Sequence, residues 1–347
     1  MTQMTHTERI KAAIEFQEVD RVPAGIWGHR PFAEQDPMYL AEVQLDIAMR
    51  NDFDFIKLNP DAFVHIYDFG VSSVMHTSPS DSKKTSFRKS VVKTLDDYKA
   101  LEPLPPYYGS LGKTVNLTKY MQKFQKEAGV EIPYIVTFNS PLTNLIEMST
   151  NLAGLADEDE LRRILDMIRQ HPEVFHEVLE KLTETGINYI KANMEYGPAG
   201  FFFATRFANY DYFTEEEYDE FGTKYDMQLF DVFKDECYFN MLHIHGKNAM
   251  WDKIANYPGN VINWHDAWLP PTLEEARGRC HKCIQGGLHE QELSTYTPAQ
   301  VKEKVKDAVA RAGREGLIIG NGCGTWPWPW DENLQAITEA LNELEDK

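Results

Sequence analysis

Cysteine is scarce in this chain: four in 347 residues cannot form a disulfide framework, so the fold must rest on a hydrophobic core. With 42% apolar residues there is ample material for one. No apolar run approaches the ~18–20 residues that span a bilayer. The stretch Met1 to His6 lacks a basic region leading into an apolar segment, and the expectation is a cytoplasmic protein with no membrane partner. Positive charge is in deficit as well. Thirty-five basic residues face 54 acidic ones, for a formal charge of -19, and no compact basic cluster relieves it. Nucleic acid and anionic membrane surfaces are therefore excluded as partners, and a ligand carrying many carboxylates is disfavoured. Also missing are Ser/Gly linkers, internal repeats, Gly-rich phosphate loops and a Gly-x-Ser-x-Gly nucleophile elbow. We expect one domain over residues 1–347.

What is present is a regular alternation. Eight short apolar runs read as strands: Val22–Trp27, Asp54–Leu58, Tyr134–Phe138, Gly200–Ala204, Asn240–His245, Asn260–Trp264, Cys283–Leu288 and Leu317–Asn321. Amphipathic stretches lie between most of them, the clearest at 171–193, 214–234, 272–280, 298–313 and 331–344. Thr272 can cap its helix with Glu275 three residues on, Thr297 precedes a proline at the first helical position, and Asp331 heads a run without breakers. Strand alternating with helix predicts an α/β fold, a single (β/α)8 TIM barrel. About 75 residues separate the second and third strands, including Pro103, Pro105, Pro106 and the turn-rich 77–84 stretch. A connection of that length is expected to be a functional loop or to carry extra helices.

In such a barrel the chemistry sits at the C-terminal strand ends. His243 and His245, two apart on a strand, share a face, and Cys323 in Gly-Asn-Gly-Cys-Gly ends the last strand. Together they offer three ligands of an open zinc site, with Glu290, His289 or water as a fourth. The same residues also read as hydrogen-bonded structural histidines and a buried small thiol. Other strand ends carry catalytic candidates His29, Asp61 and Glu290, and substrate-binding candidates Arg30, Asn139, Arg206, His265, His289 and Trp326. Trp326, Trp328 and Trp330 alternate with Pro327 and Pro329, which forbids helix and stiffens the loop; the indoles either rim the mouth or pack on the barrel end. Cys280 and Cys283 are assigned to structure, because one ends a helix and the other starts a strand. Neither Asp61 with Asp68 nor His265 with Asp266 forms a specific acid–base pair, the latter two facing opposite sides of a strand.

The segment Thr7–Pro23, ending in Asp-Arg-Val-Pro, resembles the opening of the uroporphyrinogen decarboxylase superfamily, where a short helix precedes the first strand. The likeness continues through Pro141, Gly200–Thr205, Leu242–Gly246, Asn263–Asp266, Gln285–Leu288 and Gly322–Gly324. The resemblance implies a single barrel with an N-terminal helix and its site in the C-terminal mouth. Two branches compete. The decarboxylases hold propionates with an Arg-rich segment after strand one; here Gly28–Phe32 keeps only Arg30, while Asp61 stands for the catalytic aspartate. The corrinoid-linked methyltransferases carry His-x-Cys at strand five and a later Gly-Cys-Gly: His243 and Cys323 match, and His245 stands where that branch has cysteine. Exchanging thiolate for imidazole leaves a bound zinc a harder Lewis acid. The preferred expectation is a zinc-dependent methyltransferase moving a methyl group between a small methyl ether or thiol and a corrinoid (cobalamin-type) cofactor on a separate protein, as a monomer or homodimer. The alternatives are an Asp61-dependent decarboxylase and a non-catalytic binding or assembly barrel.

Overall fold

The computed structural model describes residues 3–75, 85–90, 92–150, 158–325 and 327–345. Its strands are β1 (Ile56–Leu58), β2 (Ser72–Met75), β3 (Thr85–Lys89), β4 (Tyr134–Asn139), β5 (Gly200–Thr205), β6 (Met241–Ile244), β7 (Val261–Trp264), β8 (Cys283–Leu288) and β9 (Leu317–Asn321). Seven of them form one sheet in the order β1-β4-β5-β6-β7-β8-β9, every pair parallel. Helices intervene between successive strands, as parallel pairing requires. The result is a curled α/β sheet of TIM-barrel-like form.

The first expected strand, Val22–Trp27, is not a regular one. It touches β9 through an isolated parallel bridge, Ala24 with Ile319, and a second bridge, Gly28 with Thr325, joins the residues that follow the two segments. Gly25 N donates to Ile319 O at 3.0 Å and Ile319 N to Pro23 O at 2.8 Å, while on the other side Asp54 N donates to Ala24 O at 2.7 Å. The segment thus joins β9 to the chain entering β1. Pro23 has no N–H to extend the ladder, and a Cβ on Gly25 would stand 2.4 Å from the Phe55 ring.

The two faces of the strands separate cleanly. Val136, Phe138, Phe201, Phe203, Leu242, Ile262, Ile284 and Ile319 pack with the helices, whereas Ile135, Phe202, Met241, Val261, Cys283 and Ile318 belong to a second cluster inside the sheet. The helix His6–Ile14, capped by a Thr5–Glu8 box, adds Ile10 and Ala13 to that inner cluster. Below β1, fully buried Asp54 accepts from Arg9 Nη1 at 2.6 Å, Arg21 Nη1 at 2.7 Å, His6 Nδ1 at 3.0 Å and Ala24 N at 2.9 Å. Arg9 also grips Asp20 at 2.7 Å. The Asp-Arg of the Asp-Arg-Val-Pro phrase therefore ties the N-terminal helix to the foot of the sheet.

The helices expected at 272–280 and 298–313 are present as Leu273–Arg279 and Pro298–Ala312, both with capping boxes. The long connection after β1 holds the antiparallel β2–β3 pair, a short helix Leu95–Lys99 and a 20-residue helix Gly109–Ala128. The whole of the turn-rich 77–84 stretch, between β2 and β3, falls outside the described residues.

The helix expected at 214–234 contains a π turn, Asp219–Thr223. Tyr218 lies over Gly222, where a Cβ would come within 2.7 Å of the ring, and its hydroxyl reaches Asp226 Oδ2 at 3.2 Å. Tyr257 OH donates to the same oxygen at 3.0 Å. Burial raises the Asp226 carboxyl to about 7. A group raised in the folded state favours folding when protonated, so its contribution declines as pH climbs from the unfolded carboxyl range, near 4, to about 7. Asp226→Asn should therefore match the parent near pH 4 and exceed it at pH 8.5 by on the order of 4 kcal/mol. Denaturant unfolding at the two pH values tests this, and an unchanged gap between parent and variant would refute it.

Candidate metal and substrate site

Along the inner face the residues turn polar toward the C-terminal ends. Met241 gives way to His243 and His245, Val261 to Asn263 and His265, Phe55 to Lys57 and Asn59, Ile135 to Thr137 and Asn139. Period-two alternation places each series on one face, so the strand pattern that builds the core also delivers the polar groups. Potential donor atoms of His243, His245 and Cys323 lie within 4.8 Å of one another. Cys323 Sγ is 3.9 Å from His245 Nδ1. Gly322 permits this approach, because a Cβ there would fall 2.6 Å from Trp264 O and 2.9 Å from His265 Cα. Asn321 Nδ2 donates to Cys323 O and fixes the turn.

The network around His243 settles its tautomer. Asn263 Nδ2 faces three acceptors, Gln285 O and Asn321 O at 3.1 Å each and Gln285 Oε1. Its Oδ1, 2.5 Å from His243 Nδ1, must then accept, so His243 carries its proton on Nδ1 and keeps the lone pair on Nε2. Phe202 stacks on the His243 ring, with centroids 5.1 Å apart. His265, at the end of β7, has Nδ1 2.7 Å from Glu290 Oε1 and Nε2 3.1 Å from His245 Nδ1. Trp268 Nε1 also donates to Glu290 Oε1 at 2.8 Å. Burial opposes ionisation of Glu290, but the hydrogen bonds from His265 and Trp268 outweigh it and hold the carboxyl below its usual range.

A cavity of about 130 Å³ opens beside this cluster, lined by His243 and Cys323 together with Asp61, Asn59, His29 and Lys57, with Trp27 and Phe202 among its walls. Asp61 Oδ1 accepts from Phe63 N at 2.9 Å and from the Tyr67 hydroxyl at 2.6 Å. His29 Nδ1 lies 2.9 Å from Glu34 Oε1. Asn139 borders the same cavity and donates to Asn144 Oδ1 at 3.3 Å. His65, also on the wall, is pushed down to about 4 by burial and is neutral near pH 7.

Other residues read as site candidates lie elsewhere. Arg30 stacks on Trp328, 3.4 Å from the ring centroid, in a separate small cavity against the helix Pro37–Arg50; burial lowers its guanidinium to about 10. Arg206 Nη1 pairs with buried Glu147 at 2.8 Å. Glu290 sits behind His265, off the cavity wall, and half-buried His289 stacks on Trp268 at 6.3 Å. Trp326 falls outside the described residues; Trp330 is exposed, and Trp328 packs under Arg30. Asp68 caps the helix Gly109–Ala128 by accepting from Ser110 N at 2.7 Å, and Asp266 turns away to Gly287 N at 2.9 Å. Cys280 and Cys283 are free thiols, the buried Cys283 raised to about 12 by desolvation.

Asn263 and Lys57 were missed by the reading of strand ends. Each left a signal: Lys57 is a lone cation inside an apolar strand, and Asn263 is a lone amide inside another. Asn263 is also the direct cross-strand partner of His243. Lys57 Nζ lies 4.3 Å from the Phe202 centroid and donates to Asn59 Oδ1, contacts that offset part of the cost of burying an ammonium.

A family model for uroporphyrinogen decarboxylase (URO-D) matches residues 5–344. The uroporphyrinogen decarboxylase of Carboxydothermus hydrogenoformans is 26% identical over 233 residues, 63% of this chain and 61% of that protein. That of Christiangramia forsetii is 25% identical over 247 residues, 69% of this chain and 65% of the relative. These alignments span less than two thirds of either relative's length. Among solved structures, a methyltransferase from Methanosarcina mazei superposes with a TM-score of 0.80 at 16% identity, covering 99% of both chains. A B12-independent methionine synthase from Shewanella sp. W3-18-1, in complex with selenomethionine, gives 0.57 at 11% identity over 94% of each. At these identities the superpositions establish the fold alone.

Proposed function

Because the chain belongs to the uroporphyrinogen decarboxylase family, we propose that it is an enzyme of that family's methyl-transferring kind, moving a methyl group between a small methylated compound and a corrinoid carried by a separate protein. The observation that carries the reading is the convergence of His243, His245 and Cys323 at the mouth of the sheet. Two imidazoles and one sulfur are a donor set suited to zinc, and the Asn263 contact prepares His243 Nε2 as a donor. His243, His245 and Cys323 would hold the ion, which when bound supplies Lewis acidity toward a methyl-bearing oxygen or sulfur. Asp61, on the wall of the same cavity and oriented by Phe63 N and Tyr67 OH, would accept a hydrogen bond from a polar group of the substrate. Trp27 and Phe202 exclude water from the wall where the methyl group lies, and Asn59 and Asn139 orient polar atoms of the substrate.

Charge argues against a polyanionic substrate. The cavity of about 130 Å³ shares Pro60 and Asp61 with a neighbouring one of about 230 Å³. Eight carboxylates on one tetrapyrrole need a cationic clamp, yet Lys57 is the sole Lys or Arg among the described residues lining the smaller cavity. Arg30 and Arg206 are engaged with Trp328 and Glu147.

The competing reading is a decarboxylase acting through Asp61, favoured by the names of the sequence relatives. Two measurements separate the readings. The purified protein is expected to carry about one zinc per chain by elemental analysis, and to release no carbon dioxide above background from uroporphyrinogen. Absence of stoichiometric metal together with tetrapyrrole turnover at ordinary enzyme rates would reverse the ranking.

A further inference from the structure

A third imidazole at the mouth is prepared in the same way as His243. Glu290 accepts from the Nδ1 of His265 at 2.7 Å and is itself fixed by Trp268 Nε1 at 2.8 Å. With its proton on Nδ1, His265 keeps its lone pair on Nε2, which points at His245 Nδ1 from 3.1 Å. Two imidazole nitrogens at that distance repel unless a proton or a cation lies between them. Cys323 Sγ approaches the same His245 nitrogen at 3.9 Å, which marks the spot as a meeting point of donors rather than a simple pair. A tetrahedral zinc with bonds of about 2.0–2.3 Å spaces its donors about 3.3–3.6 Å apart, a range that these two separations bracket. The His265 ring centroid is 4.8 Å from that of His245 and 6.1 Å from that of His243, and the His243 and His245 centroids are 5.9 Å apart.

We propose that His265 Nε2 is a further protein donor to the metal, oriented by Glu290, so that the set is three imidazoles and one thiolate. The inference rests on the zinc reading above and assigns His265 to the ion rather than to the substrate. It also gives Glu290 a role that its position off the cavity wall does not otherwise explain. Zinc with a single thiolate retains one positive charge. The Glu290 carboxylate, one imidazole removed, balances it, much as a second thiolate ligand would. A carboxylate behind a metal-bound histidine also fixes the ring and raises its basicity. With four protein donors in place, the bound ion would still supply Lewis acidity to a substrate heteroatom, because catalytic zinc sites accommodate a further ligand.

The test is X-ray absorption on the zinc-loaded protein, alongside competitive zinc titration of the parent, His265→Ala, His265→Gln and Glu290→Gln. Expected are three imidazoles and one sulfur in the parent, two imidazoles in both His265 variants, and affinity lower by about 10–100-fold in Glu290→Gln. The parent spectrum needs no variant to fold. One zinc bound through two imidazoles and a sulfur, with affinities in the variants within about twofold of the parent, overturns this inference and leaves the zinc reading standing. A parent that binds no zinc removes both.

Discussion

Replacing Cys323 by alanine should lower zinc affinity by at least about a hundredfold, beyond the 10–100-fold typical of losing a mere orienting partner. The thiol supplies the sole sulfur of the donor set, and its loss leaves neutral imidazoles to offset a doubly charged ion. The neighbouring position should behave differently. His245→Cys is expected to retain metal, since thiolate is an equally competent ligand, while His245→Ala should lose affinity in the manner of Cys323→Ala. Added sulfur density in His245→Cys should also shift acceptor preference toward thiols. Metal content and competitive titration across the parent and these three variants decide the matter. Equal zinc retention in all four proteins would place both residues outside the site and remove the main support for methyl transfer.

The largest loss of stability is expected far from the mouth, at Asp54. This carboxylate is fully buried and binds Arg9, Arg21 and His6; burial works against its charge, but these partners hold it below the usual carboxyl range. Asp54→Ala strands two guanidiniums, nearly buried at 4% and 6% side-chain exposure. Removing one partner of a buried ion pair costs about 3–5 kcal/mol, and part of that is moderated here because Arg9 keeps Asp20 and Arg21 keeps Asp52. The pH dependence carries the opposite sign to that of Asp226. A depressed carboxyl stabilises above its unfolded value, near 4, and that support is lost as acid protonates it in the folded state. Urea unfolding of the parent and Asp54→Ala at pH 7 should show the difference, with zinc affinity unchanged. A loss below about 1 kcal/mol would mean that the cluster contributes no more than an exposed pair.

The elements themselves were legible in the chain to a useful degree. Thr272 with Glu275 and Thr297 with Gln300 cap helices where the sequence placed them, because a capping box is closed within four residues and needs no distant partner. Seven of the eight expected strands pair in parallel, because each is a short, nearly continuous apolar run of the kind a parallel strand buried on both faces requires. The exception, Val22–Trp27, fails for a local reason at Pro23 and a distant one at Gly25, whose neighbour Phe55 is 30 residues on. The π turn at Asp219–Thr223 went unread, since it depends on Tyr218 reaching both Asp226 and, through that carboxylate, Tyr257.

The candidate site divides along the same line. His243 and His245 share a face by strand period alone, and Cys323 follows from its place at the end of the last strand. Which groups stand behind them was decided by register. Asn263 reaches His243, and Glu290 reaches His265, across 20 and 25 residues of chain, at separations set by how β6, β7 and β8 align. The direction of Arg30 was likewise a tertiary outcome. Its residue type suggests an anion clamp, but a buried guanidinium takes the best face within reach, and here that face is the Trp328 indole. By itself the sequence determined the alternation of strands and helices, the acidic surface and the polar residues at the strand ends. Only the packed sheet decided which of those residues face one another, because hydrogen-bond partners and donor spacing depend on the alignment of distant segments, and no local period encodes that.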